Sequence, residues 1–304
     1  MKRYLIRYTF QFVPVLLIIS LIVFGLVYMA GDPVQLMLPD SATPEEVANL
    51  RETLGLNRPF WVQYGVFLKN ALTGDFGVSF RYHADAMSVV LDRLPASLGL
   101  GLLAMVFALA VSIPLGIWSA LRRNTGIDLL ITGASVACKA MPTFWLGLML
   151  ILIFSVTLQI FPVSGSGTVS HMILPAIALG GGTAAEITRL VRSNMLETLG
   201  QDYIRTARAK GLGEGAVIYR HALKNCLNPV ITIITVQLPF LIGGSLITET
   251  VFAYPGVGQL LVQAVNARDM SIVQAGVFLI AILVIVMNMV GDILYRTVDK
   301  RIKY

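Results

Sequence analysis

The stretch YIRTARAKGLGEGAVIYRHALKN, Tyr203–Asn225, carries five Lys or Arg against a single acid, Glu214. It is rich in helix formers, and two glycines, Gly211 and Gly213, interrupt it. On either side the chain changes character. Upstream stands ILPAIALGGGTAAE (Ile173–Glu186) and downstream CLNPVITIITVQLPFLIGG (Cys226–Gly244), both apolar enough to sit in lipid. A dense cationic segment between two such runs is what the positive-inside rule produces on the cytoplasmic side of a membrane protein.

Composition agrees. Of 304 residues, 56% are hydrophobic and 13% charged, where an ordinary soluble domain is about 25% charged; mean hydropathy is +0.76. The net charge of +6 would suggest nucleic acid in a soluble protein, but here loop placement accounts for it and no nucleic-acid partner is expected. Cys138 and Cys226 lie in or beside apolar runs and make no CxxC or disulfide pattern. About 20 apolar residues cross ~30 Å of hydrocarbon. Six runs meet that length: Phe10–Ala30, Leu98–Leu121, Ile131–Leu158, Met172–Val191, Leu227–Thr248 and Ile272–Leu294. The third is overlong and holds Pro142, which predicts a kink or tilt. The first is too long for a signal-peptide core, and VYMAGDP is a poor cleavage site, so an uncleaved span is expected.

Lys and Arg set the orientation. Sixteen of the 23 fall on the side of the N-terminus, the second–third loop, the segment from Arg189 to Lys224 and the tail; six fall on the other side, and Lys139 lies inside a span. Both termini are therefore expected in the cytoplasm. The outer first loop is long. SATPEEVANLRETLGL predicts a helix capped by Thr43, with Pro44 at its first position, Glu45 and Glu46 at its positive end and Gly55 beyond it. RPFWVQYGVFLKNALTG predicts a second, amphipathic helix that lies along the membrane interface or covers the spans. On the inner side the fourth span is expected to run on as a helix with Glu186 and Arg189 spaced for an ion pair, as are Asp292 and Arg296. Gly200 stops it, Asp202 caps a short helix from Tyr203, and Gly211 turns the chain toward another helix led by Glu214.

No enzyme site emerges. HExxH, GxSxG, the GxxxxGK[ST] phosphate loop and clustered Cys or His are absent from the sequence. His83, His171 and His221 fall in separate loops, so no metal site is expected. Any ATP-driven movement of solute then needs its ATPase on another chain. Intramembrane polar groups are candidates for function. Lys139 lies 11 residues beyond Asp128, ~17 Å along a helix axis. It faces a solute pathway, or it snorkels or pairs with a carboxylate of a neighbouring subunit. Gln237 and Asn288 line the same pathway or hydrogen-bond between helices. In the 203–225 segment, Ala207 and Ala209 beside the arginines would let a helix approach a partner protein closely; an ordinary loop attracting anionic lipid would need only the charge.

At this point the residues resemble a known family. DYIRTARAKGLGEGAVIYRHALKNCLNPVIT (Asp202–Thr232) is similar to the EAA-type cytoplasmic loop of bacterial ABC importer permeases, in the dipeptide, oligopeptide, nickel and glutathione branch. LGLNRPFWVQYGVFLKNALTGDFGVSF (Leu54–Phe80), ILPAIALG (Ile173–Gly180) and ETVFAYPGVGQLLVQAVNARDMSIVQA (Glu249–Ala275) agree, so the resemblance covers nearly the whole chain. It implies an all-α type I importer permease of six spans with both ends cytoplasmic. Residues 1–30 would form the N-terminus and first span, 31–96 a periplasmic loop, and 97–304 a five-helix core including a coupling loop at 197–226. It implies a second homologous permease, two ATPase subunits carrying ATP and magnesium, and a periplasmic solute-binding protein. In this chain no cofactor is expected. Tyr203, Arg205, Thr206, Ala207, Arg208, Ala209 and Gly211 occupy the positions of the helix that such permeases seat in the ATPase; Lys139 lies outside the pattern. An importer of di- or oligopeptides in the bacterial inner membrane is the reading this supports. The competing class is an ion-gradient-driven transporter or channel, which would call for paired membrane carboxylates that the spans lack.

Overall fold

Residues 2–29, 43–53, 55–243 and 245–298 are described by the computed structural model. Among them the chain is helical, apart from an isolated bridge between Val78 and Asp85. The helices group into two compact units, residues 1–95 with 256–285, and residues 96–255 with 286–304.

In the first unit, α1 (Lys2–Met29) is apolar enough to span from Phe12 to Met29. The segment after it supplies α2 (Pro44–Thr53) and α3 (Phe60–Thr73). At the start of α2 the expected cap is reciprocal: Glu46 N donates to Thr43 Oγ1 at 3.3 Å, and Thr43 N donates to Glu46 Oε2 at 2.8 Å. The bonds that Thr43 N and Thr43 Oγ1 donate to Glu46 Oε2 hold its carboxyl below the ordinary range. Gly55 follows α2 at φ +69°. α3 covers the first span. Phe24 of α1 meets Phe60, Tyr64 and Phe67 with ring centroids 5.3–5.6 Å apart, and the Tyr64 hydroxyl pairs with Ser20 at 2.9 Å. Gly74, at φ +80°, ends the helix. α11 (Val257–Asn266) and the early part of α12 (Met270–Val298) complete the unit, and Leu260, Leu261, Ile272 and Ala275 pack with Phe76, Ala86 and Val90.

The helix α4 (Ala86–Leu121) has 36 residues, ~54 Å of helix, so it is longer than any hydrocarbon core and includes the expected span Leu98–Leu121. The expected third span is different from a kinked helix. α5 (Gly126–Ala140) and α6 (Thr143–Leu150, continued as a π-helix over Ile151–Thr157) meet at 111°. Met141 before Pro142 is extended, at φ −75°, ψ 132°, because the proline ring excludes the helical region at the preceding residue. The break therefore turns the chain sharply. The fourth expected span lies within α7 (Ser170–Leu199), a 30-residue helix whose glycines and charges keep it outside the three helices apolar enough to cross on composition. α9 (Leu223–Gly243) and α10 (Ser245–Val251) make a second bent pair, at 55°.

Glycines let the helices of the second unit meet backbone to backbone. A Cβ on Gly180 would stand 2.5 Å from the Ala104 carbonyl oxygen, and one on Gly116 would stand 2.6 Å from Val191 Cβ. The α4–α7 contact therefore depends on having no side chain at those two positions.

Candidate functional site

The cationic loop contains a short helix, α8 (Asp202–Ala209), held on one side by its own chain. Ile204 and Ala207 point inward and are buried with Ile187, Val191, Met195, Val217 and Cys226. Tyr203, Arg205, Thr206, Arg208 and Ala209 are exposed. Ala207 therefore does not offer the small contact surface expected of it; of the two alanines, only Ala209 faces outward. The 3.6-residue period places 204 and 207 on one face and 205, 206 and 209 on the others.

Two side-chain ties fix the ends of this helix. Asn225 Nδ2 donates to the Tyr203 hydroxyl at 2.9 Å. Arg208 donates to both carboxylate oxygens of Glu214, at 2.7 and 3.2 Å. The guanidinium holds the Glu214 carboxyl below its ordinary range, and the carboxylate raises Arg208. Between the tied residues Gly211 adopts φ +78°, with nothing within 4 Å of a notional Cβ. The turn therefore requires a left-handed residue, and crowding plays no part. The beginning of α8 differs from expectation. Gln201 is the capping residue, and Asp202 is the first helical residue, near Arg205 at 3.5 Å on the exposed surface. Gly200 ends α7 in ordinary right-handed geometry, φ −81°.

Deeper in the second unit, α7 carries two ion pairs that reach α5. The inner pair joins Arg192 to Asp128, Nε to Oδ1 at 2.6 Å and Nη2 to Oδ2 at 2.8 Å. The Ser119 hydroxyl and the Asn124 backbone N–H also donate to this carboxylate, which is buried. The second pair lies toward the break. Lys139 Nζ donates to Glu186 Oε2 at 2.7 Å, and Gln237 Nε2 of α9 donates to the same oxygen at 3.0 Å. Their side chains are 49% and 35% exposed for Lys139 and Glu186.

This arrangement corrects several sequence expectations. Lys139 pairs within its own chain, so no neighbouring subunit is needed to supply its carboxylate. Glu186 is used by Lys139 and Gln237, while Arg189 stands exposed and without an ion pair to it. Gln237 does bond between helices. Asn288 is exposed on α12 and makes no hydrogen bond to another described residue. The Arg296 side chain expected to pair with Asp292 lies outside the described residues. Sequence reasoning missed the Asp128–Arg192 pair altogether. Its one signal was an acid two residues after Gly126, at the very start of the apolar stretch. It also missed Glu249, fully buried, which accepts a hydrogen bond from Ser97 at 2.6 Å.

The model of the binding-protein-dependent transport system inner membrane component matches residues 112–304, and that of the N-terminal part of such membrane components matches residues 1–101. The chain is 42% identical over 316 residues to the oligopeptide transport system permease protein AppB of Bacillus subtilis. It is 38% identical over 333 residues to the dipeptide transport system permease protein DppB of Alkalihalophilus pseudofirmus. It is 37% identical over 305 residues to the glutathione transport system permease protein GsiC of Escherichia coli K12. Each match covers 100% of both chains. Among solved structures, a chain of the inward-facing MetNI methionine ABC transporter matches with a TM-score of 0.56 at 20% identity, over 70% of this chain and 97% of that one.

Proposed function

The chain belongs to the family of binding-protein-dependent transport system inner membrane components, and from that premise we propose that it forms half of the translocation pathway of an ATP-driven importer of di- or oligopeptides in a bacterial inner membrane. The names of its full-length relatives support the solute class. A second permease would complete the pathway, two ATPase subunits would hold ATP and magnesium, and a solute-binding protein would deliver the peptide from outside.

The observation that carries the coupling role is α8. It is a helix fastened to its own chain on one face, through Ile204, Ala207, Tyr203 and Arg208, with a basic exposed face on the other. A rigidly fastened helix transmits displacement; a loosely attached one would absorb it. The exposed face of Arg205, Thr206, Ala209 and Lys210 is the part an ATPase would hold. When ATP closes the ATPase pair, α8 moves with it, and α7 and α9 follow through the shared apolar cluster, which opens the pathway to alternate sides.

The test is reconstitution. The chain is expected to co-purify with ATPase subunits, and proteoliposomes of the full complex are expected to accumulate dipeptide only with ATP inside and binding protein outside. Uptake by the isolated chain under an ion gradient alone would overturn this reading in favour of a secondary transporter.

A further inference from the structure

The Lys139–Glu186–Gln237 cluster has unused bonding capacity. Glu186 Oε2 accepts both hydrogen bonds, while Glu186 Oε1 has no partner among the described residues. The Lys139 ammonium has three N–H donors and uses one of them on the protein. A cation and an anion therefore stand side by side, each with room for a further partner.

The surroundings of the cluster are not those of a strut. The Asp128–Arg192 pair already ties α5 to α7, with two parallel bonds and two further donors on a buried carboxylate. The Lys139–Glu186 pair is a single bond between half-exposed side chains, so it can open without releasing the helices. Charges at membrane depth turned toward lipid are costly and are found facing a water-filled cavity or other protein. Beyond Gly182 the same face of α7 carries Glu186, Arg189, Ser193 and Glu197 at three- or four-residue steps, all partly or fully exposed. Gly182 stands one turn before Glu186, and a Cβ built on it would meet nothing within 4 Å. Open space in this chain therefore adjoins the carboxylate.

Resting on the permease reading above, we propose that Lys139, Glu186 and Gln237 form a subsite on the translocation path for the charged termini of a zwitterionic solute. The solute ammonium takes the place of Lys139 on Glu186, and the solute carboxylate takes the place of Glu186 on Lys139. One ion pair becomes two, and no net charge enters the membrane. A solute with a single charge would leave one partner unpaired, which is penalised at low dielectric. The site thus favours molecules bearing both termini, as a free peptide does.

The experiment uses the complete transporter in proteoliposomes and a dipeptide carrying a diazirine side chain. ATP-driven uptake and photolabelling are measured together. In the wild-type complex the label is expected on peptides of α5, α7 or α9. Lys139→Met and Glu186→Gln are each expected to reduce uptake and labelling about tenfold, the effect of losing one charge-assisted bond, with complex assembly retained. The double variant is expected to stay low. Gly182→Phe, which fills the space and keeps both charges, is expected to lower both readouts and covers the case in which a charge variant fails to assemble. Recovery of uptake in the double variant would overturn the subsite, because a strut needs only that neither charge be left alone. Label confined to other helices would overturn it too. A wild-type complex that takes up no dipeptide would instead overturn the peptide-importer reading on which the subsite rests.

Discussion

Gly211 owes its identity to a dihedral angle. Its φ of +78° with open space around it means that a valine there is opposed by its own backbone, since β-branched residues resist the left-handed region. Gly211→Val is expected to insert normally, yet to lose ATPase subunits on purification. Gly213→Ala is the control, because φ −65° suits any residue. Gly180 shows the opposite cause, contact without special dihedrals. Gly180→Ala would press a methyl against the Ala104 carbonyl at 2.5 Å and is expected to lower the melting temperature of the complex, whereas Gly182→Ala, facing open space, should leave it unchanged. The buried Asp128 ion pair gives the largest single-residue effect. Asp128→Asn leaves Arg192 without its anion and is expected to cost ~3 kcal/mol, read as a lower thermal midpoint.

At the scale of one helix, the two faces of α8 separate folding from coupling. Ala207→Glu would put a carboxylate among Ile187, Val191 and Val217, where no partner waits. It is expected to lower the yield of folded chain before any ATPase is involved. Arg205→Glu, on the exposed face, is expected to keep the yield and weaken ATPase retention. α2 offers a smaller test. Thr43→Ala and Glu46→Ala each break the reciprocal cap and are expected to speed hydrogen exchange over residues 44–53 alone. The sign of the pH effect follows from Glu46, whose folded value is depressed. The capping contribution is fully present above the ordinary carboxylate range and is lost as pH falls through the lower, folded value. These features were legible beforehand because their partners are neighbours in sequence. Thr43 as the cap of α2, and the turn at Gly211 after a short helix, are local patterns. The inward turn of Ala207 had one local sign, Ile204 three residues before it on the same helical face, but an alanine among arginines suits either face, and its packing with Val217 and Cys226 decides.

For the whole chain, the asymmetry of sixteen cations to six remains the basis for orientation. Single cysteines at Asp85 or Ser166 are expected to react with an impermeant reagent from outside intact cells, and cysteines at Asn124, Gly213 or Lys303 are not. Labelling of Gly213 from outside would reverse the orientation and remove α8 from the cytoplasm. The bent pair α5–α6 adds a second check. Its 111° break allows a broken span or a re-entrant loop, and a cysteine at Thr157 distinguishes them by reacting from outside for a span and from inside for a re-entrant loop.

Residue order alone determined the class of this protein, the apolar runs, the cationic loop and the glycine turn within it. Those features depend on composition and on contacts three or four residues apart, and the loop stretch is specific enough to identify the family. Only the tertiary structure decided which charges meet. Lys139 finds Glu186 across 47 positions and Arg192 finds Asp128 across 64. No helical period predicts such a pairing, because it is set by which faces of α5 and α7 pack together. That packing rests in turn on the glycines that let α7 approach its neighbours and on the proline that ends α5 beside Lys139.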